Sequence, residues 1–163
     1  MHEFDWSFPY PSQRMPVFAR EVVATSQPVA AQIGLDILRS GGNAVDAAVA
    51  TAAALTVLEP TSNGIGSDAF ALVRKGGEIF GLNGSGRSPR NLNPDAFSGD
   101  AMPLLGWDPV TVPGCVAAWV DVHRRFGSLP FPRLFEGAVT CAREGFLVAP
   151  QTASAWARVP QRY

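Results

Sequence analysis

The sequence is short of charge, of histidine and of cysteine. Only 17% of its 163 residues are Asp, Glu, Lys or Arg, and 13 basic residues against 14 acidic ones give a net charge of -1. Because like charges form no block, the sequence has no electrostatic footprint for a nucleic acid or an anionic membrane surface. We therefore expect neither as a partner.

The two cysteines, Cys115 and Cys141, are far apart and outside any CxxC pattern. This spacing indicates neither a disulfide framework nor a zinc site, so we expect two free thiols, no metal and no cofactor. Cys115 lies near a predicted helix start, where the helix dipole lowers a thiol pKa, but no partner histidine is placed beside it. His2 and His123, the only histidines, have no ligand spacing around them.

The first residues also lack a basic flank followed by an apolar core, which is the pattern of a secretory signal. Cytoplasmic localisation is therefore the default expectation. Residues 1–21 are rich in proline and aromatics and have no periodicity, which predicts an extended N-terminal arm. Residues 22–163 are predicted to form the leading part of a larger, incomplete domain, because the chain stops at Tyr163 without a helix stop signal.

The most informative stretch is residues 41–66, which has no charged side chain between Asp46 and Glu59. A helix through it is apolar on every face, so we expect protein to surround it. Asn43 is placed to cap this helix, Asp46 meets its dipole at the third position, and Pro60 ends it. Roughly fifteen residues at ~1.5 Å each give about 23 Å, which is short of a ~30 Å bilayer and predicts a core helix.

Apolar periodicity and turn residues predict the remaining elements. The predicted strands are Val22–Ala24, a hairpin of Ala69–Val73 and Ile79–Leu82 turning at Gly76-Gly77, and Val110–Val112. Four other helices are predicted. The first starts around Thr25, Ser26 and Pro28, with Val29, Ile33 and Ile37 on one face, and the second has Trp119 and Val120 inward and ends near Gly127. The third lies within Pro132–Gly145, with Leu134, Ala138 and Cys141 on one side, and the fourth starts near Pro150, with Trp156 and Val159 on its apolar face.

No catalytic motif follows from these residues alone. The NGIGSD segment does not have P-loop spacing and leads into a strand, whereas phosphate binding uses a helix start. No GxSxG elbow surrounds Ser67 or Ser85. Asp68 and Asp95 are single loop carboxylates, which are typical of turns and caps. These patterns do not identify a reaction.

Three longer strings identify a family. The segments VVATSQPVAAQIGLDILRSGGNAVDAAVATAAALTVLEPTSNGIG, TVPGCVAAWVDVHRRFGSLP and AREGFLVAP resemble the start of the large subunit in the γ-glutamyltransferase family, with GSGRSP closer to its cephalosporin acylase-like branch. The resemblance implies an α/β fold, an N-terminal nucleophile hydrolase-like αββα sandwich. This chain would supply its leading helices and a hairpin.

The family resemblance also implies a self-cleaving precursor. The new amino terminus of the small subunit is then a threonine that attacks a γ-glutamyl or related acyl amide, with its own α-amine as base. No residue of that machinery matches this chain, so we expect no catalytic residue here. The implied partners are the small subunit and a small acyl amide, and the oligomeric state stays open.

Two segments depart from the family pattern. Family members that act on glutathione carry an arginine four residues before a proline, where it binds the substrate α-carboxylate. Aligning that proline with Pro89 places Ser85 at the arginine position, so we predict Ser85 and Arg87 as substrate-binding residues and a weaker hold on that carboxylate. The alternative is that Ser85 and Gly86 shape a turn and Arg87 pairs with a surface carboxylate. In GIGSDAF, Ser67 and Asp68 replace family glycines, which let backbones approach closely. We therefore expect this loop to be less tightly packed than in the family pattern.

Two functions therefore stand side by side. In the first, the chain is the leading part of a γ-glutamyltransferase-like amidohydrolase or acyltransferase. In the second, it is an inactive truncated fragment or an interaction module without catalysis.

We predict that both cysteines titrate as free thiols after denaturation without reductant, because no spacing favours a bridge. A thiol-specific reagent, added to the denatured protein without reductant, counts the free thiols. A count of zero thiols would show that they are bonded.

Overall fold

The computed structural model describes residues 17–93, 95, 97, 99, 101–103 and 105–158. Most of the predicted N-terminal arm (1–21) and Val159 lie outside the described residues. The elements in chain order are α1 (Pro28–Arg39), α2 (Ala44–Leu58), β1 (Ala69–Lys75), β2 (Glu78–Gly84), α3 (Cys115–Phe126), a 3-10 helix (Phe131–Phe135), α4 (Glu136–Glu144) and α5 (Pro150–Trp156).

Helix α2 begins and ends as predicted. Asn43 Oδ1 accepts from the amides of Val45 and Asp46, and the Asp46 carboxylate accepts from the Asn43 amide, which forms a reciprocal capping box. The helix ends at Leu58, directly before Glu59. The small buried residues of α2 let α1 approach closely, and the two helices together form much of the hydrophobic core.

The sequence predicted that protein surrounds α2 on every face. Within this chain that is not so. Ala44 and Ala48 are exposed, and Ala52 and Leu55 are only half-buried. The reason is geometric, since α1, α3 and α4 cover only part of its circumference. No helix among the described residues combines the length and the hydropathy that crossing a membrane requires.

The hairpin prediction is confirmed. β1 and β2 pair antiparallel with Lys75 opposite Glu78, and Gly76 and Gly77 take φ angles of 59° and 88° at the turn. One face of the hairpin packs toward α3. On the other face Phe70 and Leu72 are 64% and 82% exposed.

Two predicted strands are wrong: neither Val22–Ala24 nor Val110–Val112 belongs to a strand. A strand needs a ladder partner, and the only sheet in the described part of the chain is the β1–β2 pair. The Val23 side chain instead lies against Gly34 of α1.

The start and the buried face of α1 also differ from prediction. Gln27 caps the helix, with Oε1 accepting from the Ala30 amide at 2.8 Å, while Ser26 Oγ donates to Glu59. Pro28 occupies the first turn as expected. Val29 is 38% exposed, because the buried stripe turns toward Ala30, Gly34 and Ile37.

The later helices largely follow prediction. α3 ends at Phe126, directly before Gly127, and Trp119 is buried. Leu134 and Ala138 are buried near α4, with Cys141 half-buried. Trp156 of α5, predicted on the apolar face of that helix, is instead 55% exposed. Both cysteines are free in the structure.

The Asp46 carboxylate joins the start of α2 to the chain after α3. It accepts hydrogen bonds from Ser128 Oγ at 2.6 Å, from the Ser128 and Leu129 amides, and from Asn43. Asn43 Nδ2 donates to the Phe126 carbonyl at 2.7 Å, which fixes the same junction. Burial alone would raise the pKa of Asp46, but these hydrogen bonds outweigh it and hold the pKa below its usual value.

We predict that Asp46→Asn destabilises the full-length protein by about 2–4 kcal/mol at neutral pH, because the amide presents donors to buried N–H groups. Urea unfolding measures this, with exposed Asp121→Asn as the control expected within about 0.5 kcal/mol. Since the folded pKa is depressed, the stabilisation is present above the unfolded pKa of about 3.9 and disappears as pH falls through the folded pKa. The difference between wild type and Asp46→Asn should therefore shrink in acid, and a difference that grows there would contradict this assignment.

Candidate functional site

Three segments that are distant in sequence meet at the start of α3. They are residues 64–68 before β1, residues 84–87 after β2, and residues 111–114 leading into the helix. Each overlaps a string that carries the family resemblance: GIGSDAF, GSGRSP or TVPGC. This convergence is the candidate site.

The Ser67 backbone caps α3. Its carbonyl accepts from the Gly114 and Cys115 amides at 3.1 and 2.9 Å, which occupies two N–H groups of the helix start. Its hydroxyl donates to the Gly64 carbonyl at 2.5 Å. A Cβ built on Gly64 or Gly66 meets nothing within 4 Å, and the side chains of Ser67 and Asp68 are exposed, so this segment is open.

The loop after β2 is tied to residues 111–112 by its backbone. The Ser85 amide donates to Asn83 Oδ1 at 3.0 Å, and the Ser85 carbonyl accepts from Thr111 Oγ1 at 3.3 Å. The Arg87 carbonyl accepts from the Val112 amide at 2.8 Å. The backbone of this loop is therefore fixed at Ser85 and at Arg87, while a turn-shaping role for Ser85 and Gly86 stays a prediction.

Glycine is required at two positions of this contact. Gly86 has a φ of 76°, and a Cβ there would run into the carbonyl oxygen of Val112. A Cβ on Gly114 would overlap the Gly84 carbonyl oxygen and lie 2.7 Å from the Gly86 amide. The two backbones are therefore packed as closely as chain geometry allows.

The predicted substrate-binding residues sit together on this loop. Ser85 is half-buried and Arg87 is exposed. Among the described residues no carboxylate forms an ion pair with Arg87, so the surface pairing that the sequence left open is not seen there. Their contact with substrate stays a prediction.

Cys115 is not an activated thiol, although it is the first residue of α3. Burial raises the pKa of the Cys115 thiol, a hydrogen bond with Ser67 offsets part of this, and the charge of Asp68 raises it further. No group of three metal-ligating side chains occurs in the part of the chain that the structure describes.

A cleft of about 560 Å³ opens beside the site, between α2, β1 and α3. Its lining is mostly apolar, with Asn63, Ser67 and Asp68 at one side, and it includes neither Ser85 nor Arg87. Since the exposed stripe of α2 forms one wall, the cleft is an uncovered part of the core.

Thr111 and Gly114 belong to this site, although no motif in the sequence predicts them. Their only signal was their place in the TVPGC string, because their role depends on a loop far away in the sequence. Nor does any motif predict the bonds of Asp46 to Ser128 and Leu129, which lie 82 and 83 residues further along the chain.

Comparisons with known proteins agree with this arrangement. The model of the family described as gamma-glutamyltranspeptidase matches residues 30–162. The crystal structure of cephalosporin acylase from Bacillus halodurans is 50% identical with a TM-score of 0.86, over 100% of this chain and 32% of that chain. The gamma-glutamyltranspeptidase of Helicobacter pylori is 26% identical with a TM-score of 0.81, over 92% of this chain and 45% of that one.

Among curated relatives, the glutathione hydrolase-like YwrD proenzyme of Bacillus subtilis is 40% identical over 136 residues, which is 80% of this chain and 26% of the relative. The chain spans about a quarter of the length of the curated relatives it matches. The expected fold class is confirmed: the chain supplies leading helices and a hairpin of an N-terminal nucleophile hydrolase fold. By sequence and by structure, this chain belongs to the gamma-glutamyltranspeptidase family.

Proposed function

We propose that the chain is the leading part of the large subunit of a self-processing acyl-amide hydrolase or acyltransferase. In this proposal the loop Ser85–Arg87 contacts the acyl group of the substrate. The observation that carries it is the loop itself. Its backbone is bonded at Ser85 and Arg87, while the Arg87 side chain is exposed and has no ion-pair partner among the described residues.

The reaction would use a threonine at the amino terminus of a small subunit cut from the same precursor. Its hydroxyl attacks the amide carbonyl, its α-amine takes the hydroxyl proton, and the C–N bond breaks as the proton passes to the leaving amine. Water or an acceptor amine then releases the acyl group. Similarity to relatives named as proenzymes supports this scheme.

The acyl group is proposed to carry a carboxylate that Arg87 meets with one charged contact. A serine at position 85 cannot form the bidentate pair that an arginine would. We therefore propose a modest preference for carboxylate-bearing acyl groups and poor use of glutathione. Similarity to the cephalosporin acylase supports an acyl amide of this broader class.

We predict that the full-length precursor separates into two chains during expression, and that replacing the threonine at the cleavage point by alanine keeps it as one. Denaturing electrophoresis and intact mass follow the cleavage. A precursor that stays uncut and hydrolyses none of the anilides below would favour the non-catalytic alternative.

A second prediction concerns four p-nitroanilides that differ only in two substituents. The γ-glutamyl compound has a carboxylate and an amine, glutaryl has only the carboxylate, 4-aminobutanoyl has only the amine, and butanoyl has neither. Arg87→Ala should lower kcat/KM about 5- to 30-fold for the two carboxylates, because it removes one charged hydrogen bond, and less than about 2-fold for the others. Ser85→Arg should raise kcat/KM for the γ-glutamyl compound at least about 10-fold.

Matched controls lie in the same loop. Arg90→Ala removes an equally exposed arginine, and Ser88→Arg adds a charge close to position 85. Both should leave the carboxylate preference unchanged. An equal loss on all four anilides in Arg87→Ala would contradict a contact between Arg87 and the carboxylate.

A further inference from the structure

Residues 111–114 form a strap along the loop 84–87. Thr111 Oγ1 bonds the Ser85 carbonyl and the Val112 amide bonds the Arg87 carbonyl, so the strap holds the chain on both sides of Gly86. At its far end the Gly114 amide bonds Ser67, which fixes the strap to a third segment.

This arrangement determines the direction in which the side chain of Arg87 points away from the loop backbone. One hydrogen bond from Thr111 holds the Ser85–Gly86 peptide plane, and one from Val112 holds the Arg87–Ser88 peptide plane. Between them Gly86 has a positive φ and lies against the Val112 carbonyl. Neither plane can rotate without losing a bond or causing an overlap. The direction of the Cα–Cβ bond of Arg87 is thereby set by the strap.

Only one of the two bonds uses a side chain. The Val112 bond is made by the backbone and persists for most residue types, whereas the Ser85 bond needs a hydroxyl at position 111. Thr111 is exposed and has no part in the hydrophobic core. The interaction of its hydroxyl that the structure shows is the hydrogen bond to the Ser85 carbonyl.

We propose that Thr111 is a positioning residue for Arg87: by holding the Ser85 carbonyl it aims the Arg87 guanidinium at the substrate carboxylate. The proposal rests on the proposed function of the loop. It assigns a part in substrate preference to a residue that acts through Arg87 and lies in a different segment of the chain.

The test is a double-mutant cycle in the full-length processed protein. Thr111→Val removes the hydroxyl at nearly constant volume, Thr111→Ser keeps it, and each is combined with Arg87→Ala. The readout is the ratio of kcat/KM for the glutaryl anilide to that for the butanoyl anilide. Thr140→Val, an exposed threonine of α4, is the control.

We expect Thr111→Val to lower this ratio about 2- to 5-fold, as one exposed neutral hydrogen bond allows, and to act mainly through the KM of the glutaryl compound. Thr111→Ser should restore the ratio. In the Arg87→Ala background Thr111→Val should have no further effect, because its route to the carboxylate is gone.

An unchanged ratio in Thr111→Val, or an equal fall with and without Arg87, would overturn the proposal. A general structural role would lower kcat/KM for both anilides together and would also count against it. Gly86→Ala gives a second arm, since its strained φ should disturb the same ratio more strongly. If Arg87→Ala alone leaves the ratio unchanged, the proposed carboxylate contact fails too, which separates that failure from a failure of Thr111.

Discussion

The hydrogen bonds accepted by the buried carboxylate of Asp46 are the interaction on which the rest of the described structure depends. The carboxylate closes the capping box of α2 and accepts the amides that follow α3, so one end of α3 is fixed to the start of the central helix. α3 has 12 residues and is about 18 Å long. At its N-terminal end the amides of Gly114 and Cys115 donate to the Ser67 carbonyl, and the strap leads into the helix. The candidate site is therefore positioned by a bond network at the opposite end of a helix.

A second constraint is the apolar surface that these elements leave open. One stripe of α2 and the outer face of the hairpin, with Phe70 and Leu72, remain exposed. Apolar patches of this kind are covered in stable proteins, since each exposed large side chain forfeits about 1.5–3 kcal/mol of burial. The chain covers 32% of the similar acylase chain.

What the sequence could predict was local. The start and end of α2, the hairpin turn at Gly76-Gly77 and the end of α3 at Gly127 each depend on a few adjacent residues, and all are confirmed. Val22–Ala24 and Val110–Val112 have strand composition, but pairing depends on a partner that composition does not supply. The loop conformation was equally out of reach, because Gly86 is held by residues about twenty-five positions later in the chain.

In GIGSDAF, Ser67 and Asp68 stand where the family resemblance leads us to expect glycines. Ser67 caps α3 through its carbonyl, a group that every residue type has, so replacing a glycine there leaves the cap intact. Asp68 adds a charge beside Cys115, and together with burial this keeps the thiol protonated at neutral pH. The described residues thus combine a loop fixed by backbone hydrogen bonds with a cysteine whose thiol pKa is raised. In the function proposed above, this loop orients the acyl group and the threonine of the small subunit is the attacking group.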